Sequence, residues 1–284
     1  MEKNRKRSVS LRSYAKINLF LDILSKRRDG YHNIRTIFSE IEIYDRLNFT
    51  LTKNGAVQIL SDMDFVSVDK NLIYKVAVFI KEKFKVKEGA EVELEKNIPI
   101  SAGLGGGSSN AATTIIALNK IWNLYLSQDQ MHEIAAEFGS DINFFLHGGT
   151  AIGENRGEKI VPVDDIEIDN IFLVNPGFGI SSREAYQNVA ISTPISNWNK
   201  ILETGDVKFC FNKLESGISK FYPEITNIIK YLNENGAAQA ILSGSGATVI
   251  GFCPNREIAE KFSEYFSKKK YWNCITKTIK RRTK

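Results

Sequence analysis

Cysteine, histidine and methionine are scarce in this sequence of 284 residues, which contains three of each. Cys210, Cys253 and Cys274 are too few and too scattered for a disulfide framework or a zinc knuckle. The sequence also lacks an apolar run of about 18 residues, the length of a membrane span. Near the start of the chain, Arg12 and Lys16 interrupt the apolar core that a signal peptide would need. We therefore expect a cytoplasmic protein with reduced thiols that is neither secreted nor bound to a membrane.

The excess of positive charge is modest, with a net charge of +5 and basic clusters at residues 3–7 and 277–284. No aromatic residues interleave with these basic residues, as they would on a face that binds nucleic acid. We predict that both clusters are solvated tails and that no nucleic acid binds. The positive balance favours an anionic small-molecule substrate through electrostatic steering.

Glycine is concentrated in one stretch, where Gly103 and residues 105–107 place four glycines within five positions. Without Cβ atoms, such a backbone can approach a ligand closely. Residues 108–110 are good helix caps, and residues 111–122 read as a helix with apolar residues on one face. A glycine loop before a helix presents free N–H groups and the positive end of the helix dipole to an anion. The stretch therefore predicts a phosphate-binding loop, although the glycines alone could also serve only backbone geometry.

Two common phosphate loops do not fit. A Walker A motif needs lysine after its last glycine, where this chain has Ser108, and a dinucleotide fingerprint starting at Gly103 needs glycine at the same position. The remaining pattern, Pro-x-x-x-Gly-Leu-Gly-Gly-Gly-Ser-Ser-x-Ala-Ala, resembles the ATP-binding motif of the GHMP kinase superfamily. The resemblance implies ATP with Mg²⁺, bound by Lys96, Pro99, Ile100, Ser101, Ala102, Gly103, Leu104, Gly105, Gly106, Gly107, Ser108 and Ser109.

The alternation of residues 9–24 predicts a strand that turns Lys16 and Asn18 to one side. The run Ser-Tyr-Ala-Lys-Ile-Asn-Leu-Phe-Leu around them resembles the first signature of the 4-diphosphocytidyl-2-C-methyl-D-erythritol kinases, a family of that superfamily. The family usually has proline where this chain has Tyr14. The resemblance implies that Lys16 is catalytic and that Asn18 binds the substrate, whereas a lysine and an asparagine on a strand could otherwise be plain edge residues.

A second matching element is Asp-Gly-Tyr-His, which ends in Tyr31 and His32. In the family this element reads the cytosine of the substrate, and Tyr186 matches the position of a second aromatic wall. The chemistry suits a base, because an aromatic face can stack on it for about 1–3 kcal/mol and an imidazole can donate or accept at its edge. Taken alone, the pair could equally be an amphipathic surface patch.

Asp141 follows Gly139-Ser140 and could be a helix N-cap. It also matches the acid of the family's Gly-Ala-Asp-x-Pro-Phe motif, with Ser140 and Asn143 as departures. The resemblance implies that Asp141 accepts the proton of the attacking hydroxyl, and a neighbouring cation would keep it ionised. We predict that Lys16 and Asp141 meet in one cleft.

A third glycine element also matches the superfamily, in which it lies against substrate and triphosphate. The matched residues are Ser243, Gly244, Ser245 and Gly246. No residue is predicted to bind a metal directly, because the three histidines are widely spaced and carboxylates do not cluster. This fits Mg²⁺ held by ATP oxygens and water.

Strands and helices mix along the chain, with several hairpins, and predict an α+β architecture. Strands are predicted at residues 9–24, 35–43, 47–52, 56–60, 90–95, 171–174, 238–242, 248–253 and 272–279, with a hairpin at 148–163. Helices are predicted at residues 71–84, 111–122, 127–138, 182–189, 196–203, 223–234 and 256–268. The resemblance implies a ribosomal-protein-S5-like ATP-binding domain at 1–165, a ferredoxin-like domain at 166–284, and the active site in the cleft between these lobes.

The resemblance implies phosphorylation of the 2-hydroxyl of 4-diphosphocytidyl-2-C-methyl-D-erythritol, in the non-mevalonate route to isoprenoid precursors. The enzyme would be a monomer or a homodimer. Three alternatives stay open at this point: a mevalonate or homoserine kinase of the same superfamily, a nucleotide-sensing protein without turnover, and an RNA-binding protein of the same fold.

Overall fold

A computed structural model of the chain describes residues 7–61 and 70–282. Its strands are β1 (Ser8–Lys26), β2 (His32–Thr52), β3 (Val57–Ser61), β4 (Gly89–Glu95), β5 (Thr150–Glu154), β6 (Lys159–Pro162), β7 (Ile171–Asn175), β8 (Phe211–Asn212), β9 (Gln239–Leu242), β10 (Val249–Phe252) and β11 (Trp272–Thr276). Its helices are α1 (Leu72–Lys83), α2 (Gly106–Ile121), α3 (Gln128–Phe138), α4 (Ile142–His147), α5 (Ser182–Gln187), α6 (Lys200–Thr204), α7 (Glu215–Ile218), α8 (Pro223–Glu234) and α9 (Arg256–Lys268).

The chain divides into two compact units, each built from three segments. The first unit comprises Met1–Ala15, Ile43–Ile98 and Gly106–Leu146, and the second comprises Lys16–Glu42, Pro99–Gly105 and His147–Lys284. Strands β1 and β2 therefore each contribute residues to both units. The domain boundary at residue 165 stays a prediction.

The first unit combines a sheet with helices α1, α2 and α3 and most of α4. Residues 46–52 of β2 pair antiparallel with β4, and β3 pairs parallel with β4 on its other edge. Helix α1 contacts α2, α3 and β3. Two predicted helix starts are present: the Asn71 side chain caps α1, and Ser127 forms a capping box with Gln130 at the start of α3.

The second unit contains an antiparallel sheet of four strands in the order β11-β7-β10-β9. Helices α8 and α9 contact this sheet, and Phe172, Phe262 and Phe266 are buried there. In the same unit, residues 36–39 of β2 pair with β5, β5 pairs with β6, and Phe20 and Leu21 of β1 pair parallel with β8.

Three local predictions differ from the structure. Residues 35–52 form a single strand with no break, because Asp45 is fully buried and its carboxylate accepts hydrogen bonds from the backbone N–H groups of Asn97 and Ile98. Helix α6 begins four residues later than predicted, after a turn at residues 196–199. Strand β8 and helix α7 were not predicted, since each is too short for a periodic pattern.

The three cysteines are free, and Cys210 and Cys253 are buried. Burial raises the pKa of the Cys253 thiol to about 12 and raises that of Cys210 further. Burial also raises the pKa of the Cys274 thiol. Since the thiolate is the nucleophilic form, all three positions disfavour a reactive cysteine. Within the described residues, no helix combines the length and the apolar composition needed to cross a bilayer.

The basic C-terminal segment is not simply a solvated tail, which corrects the prediction for that cluster. The guanidinium of Arg281 donates to the carbonyls of Thr150 at 2.8 Å and Val163 at 3.0 Å, and its backbone N–H donates to Asp165 at 2.7 Å. Arg281 thus ties the chain end to the β5–β6 hairpin. In the N-terminal cluster, the Arg7 guanidinium donates to the carbonyl of Ile121 at 3.0 Å, so this residue is not simply solvated either. Lys3, Arg5, Lys6 and Lys284 lie outside the described residues.

We expect Arg281→Ala to lower the free energy of unfolding by about 1–3 kcal/mol, because it leaves two hairpin carbonyls without their charged donor. Denaturant titration would measure the loss. Lys280→Ala is the matched control, since Lys280 pairs with Glu167 in an exposed ion pair and such pairs contribute little. Equal effects of the two substitutions would contradict the anchoring role of Arg281.

Candidate active site

The first half of the glycine loop, residues 99–105, lies in the second unit and has an unusual backbone. Ser101, Gly103 and Gly105 adopt φ values of 52°, 76° and 70°, a region that favours glycine. Glycine is required at position 103, since an added Cβ would clash with the carbonyl oxygen of Ser243. The side chains of Ala102 and Leu104 are buried, so a ligand at this loop meets mainly backbone.

The second half of the loop is already helical, which corrects the predicted helix start. Helix α2 begins at Gly106, so Ser108, Ser109 and Asn110 lie within its first turns and do not cap it. Ser109 and Asn110 are buried, and the Ser13 hydroxyl lies 2.7 Å from both Ser109 Oγ and Asn110 Oδ1. The backbone N–H groups at the start of α2 are therefore those of two glycines and two serines, residues 106–109.

Lys96 supports the start of α2 in the first unit. Its ammonium group donates to Asp45 at 2.8 Å and to the carbonyl of Ile98. A Cβ added to Gly106 would lie 3.1 Å from Lys96 Nζ, so the amine reaches the backbone at the beginning of the helix. Burial lowers the pKa of Lys96, and the Asp45 carboxylate opposes that shift.

Lys16 and Asn18 lie on the same side of β1, as predicted, but they are buried, with 4% and 1% of their surface exposed. Lys16 Nζ donates to Asn18 Oδ1 at 2.7 Å, and Asn18 Nδ2 donates to Thr36 Oγ1 at 2.7 Å. The Thr36 hydroxyl donates onward to the carbonyl of Phe20 at 2.7 Å. This chain of hydrogen bonds sets the position of the amine.

The third glycine loop, residues 243–246, packs against the Gly103 turn and against Lys16 and Asn18 of β1, all within the second unit. Ser243 Oγ donates to the carbonyl of Gly103 at 3.2 Å. A Cβ added to Gly244 would lie 3.2 Å from Lys16 Nζ and from Asn18 Oδ1. The Lys16 amine, the Gly103 turn and the Ser243–Gly246 loop therefore lie together, although they are far apart in sequence.

The structure also brings together two of the three predicted cytosine-binding residues. The rings of His32 and Tyr186 stack with centroids 5.5 Å apart. Burial, with a contribution from Lys26, lowers the pKa of His32, which favours the neutral ring. The ring of Tyr31 is 57% exposed and has the Arg156 guanidinium over one face at 5.0 Å.

Asp141 lies in the first unit, in the turn between Gly139 and α4. The neighbouring side chain of Asn143 contacts His132 Nδ1 at 3.0 Å. Because Lys16 belongs to the second unit, the meeting of Lys16 with Asp141 stays a prediction.

Sequence reasoning missed Thr36, Asn212 and Glu215. Thr36 orients Asn18, while Asn212 and Glu215 bond to the backbone of residues 242 and 244. Nothing in the composition or spacing of these residues indicates such roles. Only the pairing of β1 with β2 and β8 brings them to the site.

Comparison with known proteins places this geometry in a family. Models of the "GHMP kinases N terminal domain" and "GHMP kinases C terminal" match residues 71–149 and 196–271. The 4-diphosphocytidyl-2-C-methyl-D-erythritol kinase of Bacillus cereus (strain B4264) is 41% identical over 246 residues, which are 84% of this chain and 85% of that protein.

Solved structures agree with the sequence relatives. A crystal structure of 4-(cytidine 5'-diphospho)-2C-methyl-D-erythritol kinase has a TM-score of 0.81 at 26% identity and covers 95% of this chain and 100% of its own. A homoserine kinase from Cytophaga hutchinsonii has a TM-score of 0.73 at 15% identity, covering 100% of this chain and 98% of its own, which shows the shared fold alone. The predicted α+β fold of the GHMP kinases is confirmed. The chain belongs to the GHMP kinases and, within them, to the family of 4-diphosphocytidyl-2-C-methyl-D-erythritol kinases.

Proposed function

We propose that this kinase transfers the γ-phosphoryl group of ATP to the 2-hydroxyl of 4-diphosphocytidyl-2-C-methyl-D-erythritol, a step of the non-mevalonate route to isoprenoid precursors. The observation that carries the proposal is the 41% identity to a kinase of that name along most of both chains. The grouping of Lys16 with two glycine loops supports it, since the backbone of Gly244 lies close to the amine.

In this proposal the triphosphate lies on the glycine loop and the first turn of α2. Backbone N–H groups at a helix start bind phosphate oxygens, and the helix dipole adds to the attraction. Lys96 can assist, because an ammonium has three N–H donors and Asp45 and Ile98 take two of them. Ser108 and Ser109 lie in the same turn.

The reaction needs one proton acceptor and one positive charge. The substrate hydroxyl oxygen attacks the γ-phosphorus, the bond to the β,γ-bridging oxygen breaks, and ADP leaves. We assign the hydroxyl proton to the Asp141 carboxylate. Lys16 stabilises the charge that develops on the transferred group, and its hydrogen bond to Asn18 orients the amine.

The cytidine end of the substrate is assigned to Tyr31, His32 and Tyr186. A neutral imidazole can donate from one nitrogen and accept at the other, which suits the edge of cytosine. Since Arg156 covers one face of the Tyr31 ring, the other face is the one proposed to stack on the base. The Ser243–Gly246 loop is proposed to contact the part of the acceptor nearest Lys16.

Mg²⁺ is proposed to accompany ATP, where it would neutralise charge on the phosphate oxygens. Over residues 7–61 and 70–282, no group of three or more His, Cys, Asp and Glu side chains could hold a metal ion. This donor set fits a cation bound mainly by nucleotide oxygens and water.

Acceptor profiling tests the proposal against its rivals. Purified protein would be given ATP with the cytidylated acceptor, the acceptor lacking cytidine, mevalonate and homoserine, and ADP release would be measured. We expect turnover with the cytidylated acceptor only. Turnover with mevalonate or homoserine would favour another GHMP kinase activity, and ATP binding without turnover would favour a nucleotide sensor.

Asp141→Asn should lower kcat by about 10²–10⁴-fold, the usual contribution of a general base. The dissociation constant for ATP should stay nearly the same, because the amide keeps the size of the acid. Steady-state kinetics and calorimetric ATP titration measure the two effects. Asp129→Asn, at an exposed position in the first turn of α3, is the control. An unchanged kcat in Asp141→Asn would exclude this base.

Tyr31→Ala should raise the KM for the cytidylated acceptor by about 5- to 150-fold, which corresponds to the loss of one stacking contact of about 1–3 kcal/mol. The KM for ATP should change by less than about twofold. Tyr31→Phe keeps the ring and should retain the wild-type KM, while Tyr125→Ala removes a ring of the first unit that is 87% exposed. Equal losses for acceptor and ATP would contradict the stacking assignment.

A further inference from the structure

We infer that Asn212 and Glu215 are positioning residues of this kinase that hold the Ser243–Gly246 loop against Lys16 and Asn18. The inference rests on the proposed function, which assigns acceptor binding to that loop. Both residues belong to the short segment of β8 and α7 that sequence analysis did not anticipate. All contacts involved lie within the second unit.

Asn212 uses its whole amide on this task. Nδ2 donates to the carbonyl of Leu242 at 2.7 Å and to the carbonyl of Gly244 at 2.8 Å, while Oδ1 accepts from the N–H of Leu214 at 3.0 Å. The side chain is buried, with 4% of its surface exposed. An amide so placed fixes the direction of two carbonyls, because each N–H bond points to one of them.

Glu215 holds the same strand end from its other backbone group. Its Oε2 accepts from the N–H of Leu242 at 3.0 Å. Leu242 therefore has its carbonyl bound by Asn212 and its N–H bound by Glu215. The loop that begins at Ser243 leaves the sheet from a backbone unit that is held on both sides.

The segment that carries these residues is itself anchored to β1. Phe211 and Asn212 pair in parallel with Phe20 and Leu21, and the N–H of Lys213 donates to the carbonyl of Leu21 at 2.8 Å. The Lys16 amine and the Asn18 amide lie on that same β1 strand. Strand β8 thus links the loop to the strand that holds the catalytic lysine.

The distances at Gly244 show why the register matters. A Cβ at this position would lie 3.2 Å from Lys16 Nζ and 3.1 Å from the carbonyl of Gly103. A shift of the loop by even 1 Å would change what the amine and the transferred phosphoryl group meet, and such misplacement can cost about 100-fold in rate. Asn212 and Glu215 act on the reaction only through this placement.

The test uses two substitutions of unchanged size and one truncation. Asn212→Asp places carboxylate oxygens against two carbonyls, and we expect kcat to fall at least about 10-fold. Glu215→Ala should lower kcat similarly, whereas Glu215→Gln keeps a carbonyl acceptor for Leu242 and should stay within about twofold of wild type.

Asn273→Asp is the matched control for stability. Asn273 lies on β11, at the opposite edge of the four-stranded sheet from β9, and its amide also donates to a backbone carbonyl, that of Tyr271. We expect a lowered thermal transition with an unchanged kcat. If Asn212→Asp and Glu215→Ala lower the transition but leave kcat within about twofold of wild type, the two residues are merely structural and the inference is wrong.

Hydrogen–deuterium exchange gives a second measurement that needs no substrate. Amides of residues 242–246 should exchange faster in Glu215→Ala and Asn212→Asp than in the wild type, while those of β11 stay protected. Unchanged exchange in this loop would overturn the inference, even if Asn212→Asp fails to fold and only the Glu215 pair can be compared. If the wild type does not phosphorylate the cytidylated acceptor, the proposed function is wrong. The inference about Asn212 and Glu215 can still be tested then, by following turnover with whichever acceptor the wild type uses.

Discussion

The amine of Lys16 is buried in β1, and this constraint governs the arrangement around it. Removing an ammonium group from water costs several kcal/mol unless polar partners replace the lost hydration. Asn18 supplies one such partner, and Asn18 in turn depends on Thr36, whose hydroxyl bonds to the carbonyl of Phe20. Strand β2 must therefore lie beside β1 in one register for the amine to have its orientation.

Backbone of the third glycine loop also lies close to that amine, which has the centroid of the Phe38 ring 5.5 Å away. The Gly103 turn and the Ser243–Gly246 loop approach each other so closely that neither Gly103 nor Gly244 leaves normal room for a methyl group. A surface of backbone N–H and carbonyl groups beside a cation is suited to phosphate chemistry, since the dipoles are fixed before the ligand arrives. Asn212 and Glu215 add the constraint that the second loop needs.

Local pattern was sufficient where a signal repeats along the chain. The alternation around Lys16 indicated that it shares a side with Asn18, and the apolar spacing from Ala111 to Trp122 indicated the buried face of α2. Helix α3 ends at Phe138, the last residue of the predicted helix. The glycine loop, the run around Lys16 and the Asp-Gly-Tyr-His element were specific enough to indicate the family from the sequence alone.

Local pattern failed where a distant partner decides the outcome. Residues 44–46 were predicted to separate two strands, yet Asp45 is buried and accepts hydrogen bonds from residues about 50 positions away. Serine and asparagine commonly cap helices, but Ser109 and Asn110 lie within α2 and contact the Ser13 hydroxyl in the first unit. The sequence around Asn212 does not indicate its contacts, because they depend on the pairing of β8 with β1.

The contact of Gly103 with Ser243 has a consequence for redesign of this enzyme. Here the Gly103 backbone lies directly against the backbone of Ser243, and the only side-chain contact described above at this junction is the Ser243 hydroxyl. The segment assigned to ATP and the segment assigned to the acceptor are therefore separated by backbone that cannot be trimmed or enlarged. A loop transplanted from a kinase of different specificity would have to reproduce this backbone path, or arrive together with its own glycine turn. His32 and Tyr186, which are proposed to contact the cytosine, lie outside that junction, so they are the more accessible positions for altering acceptor preference.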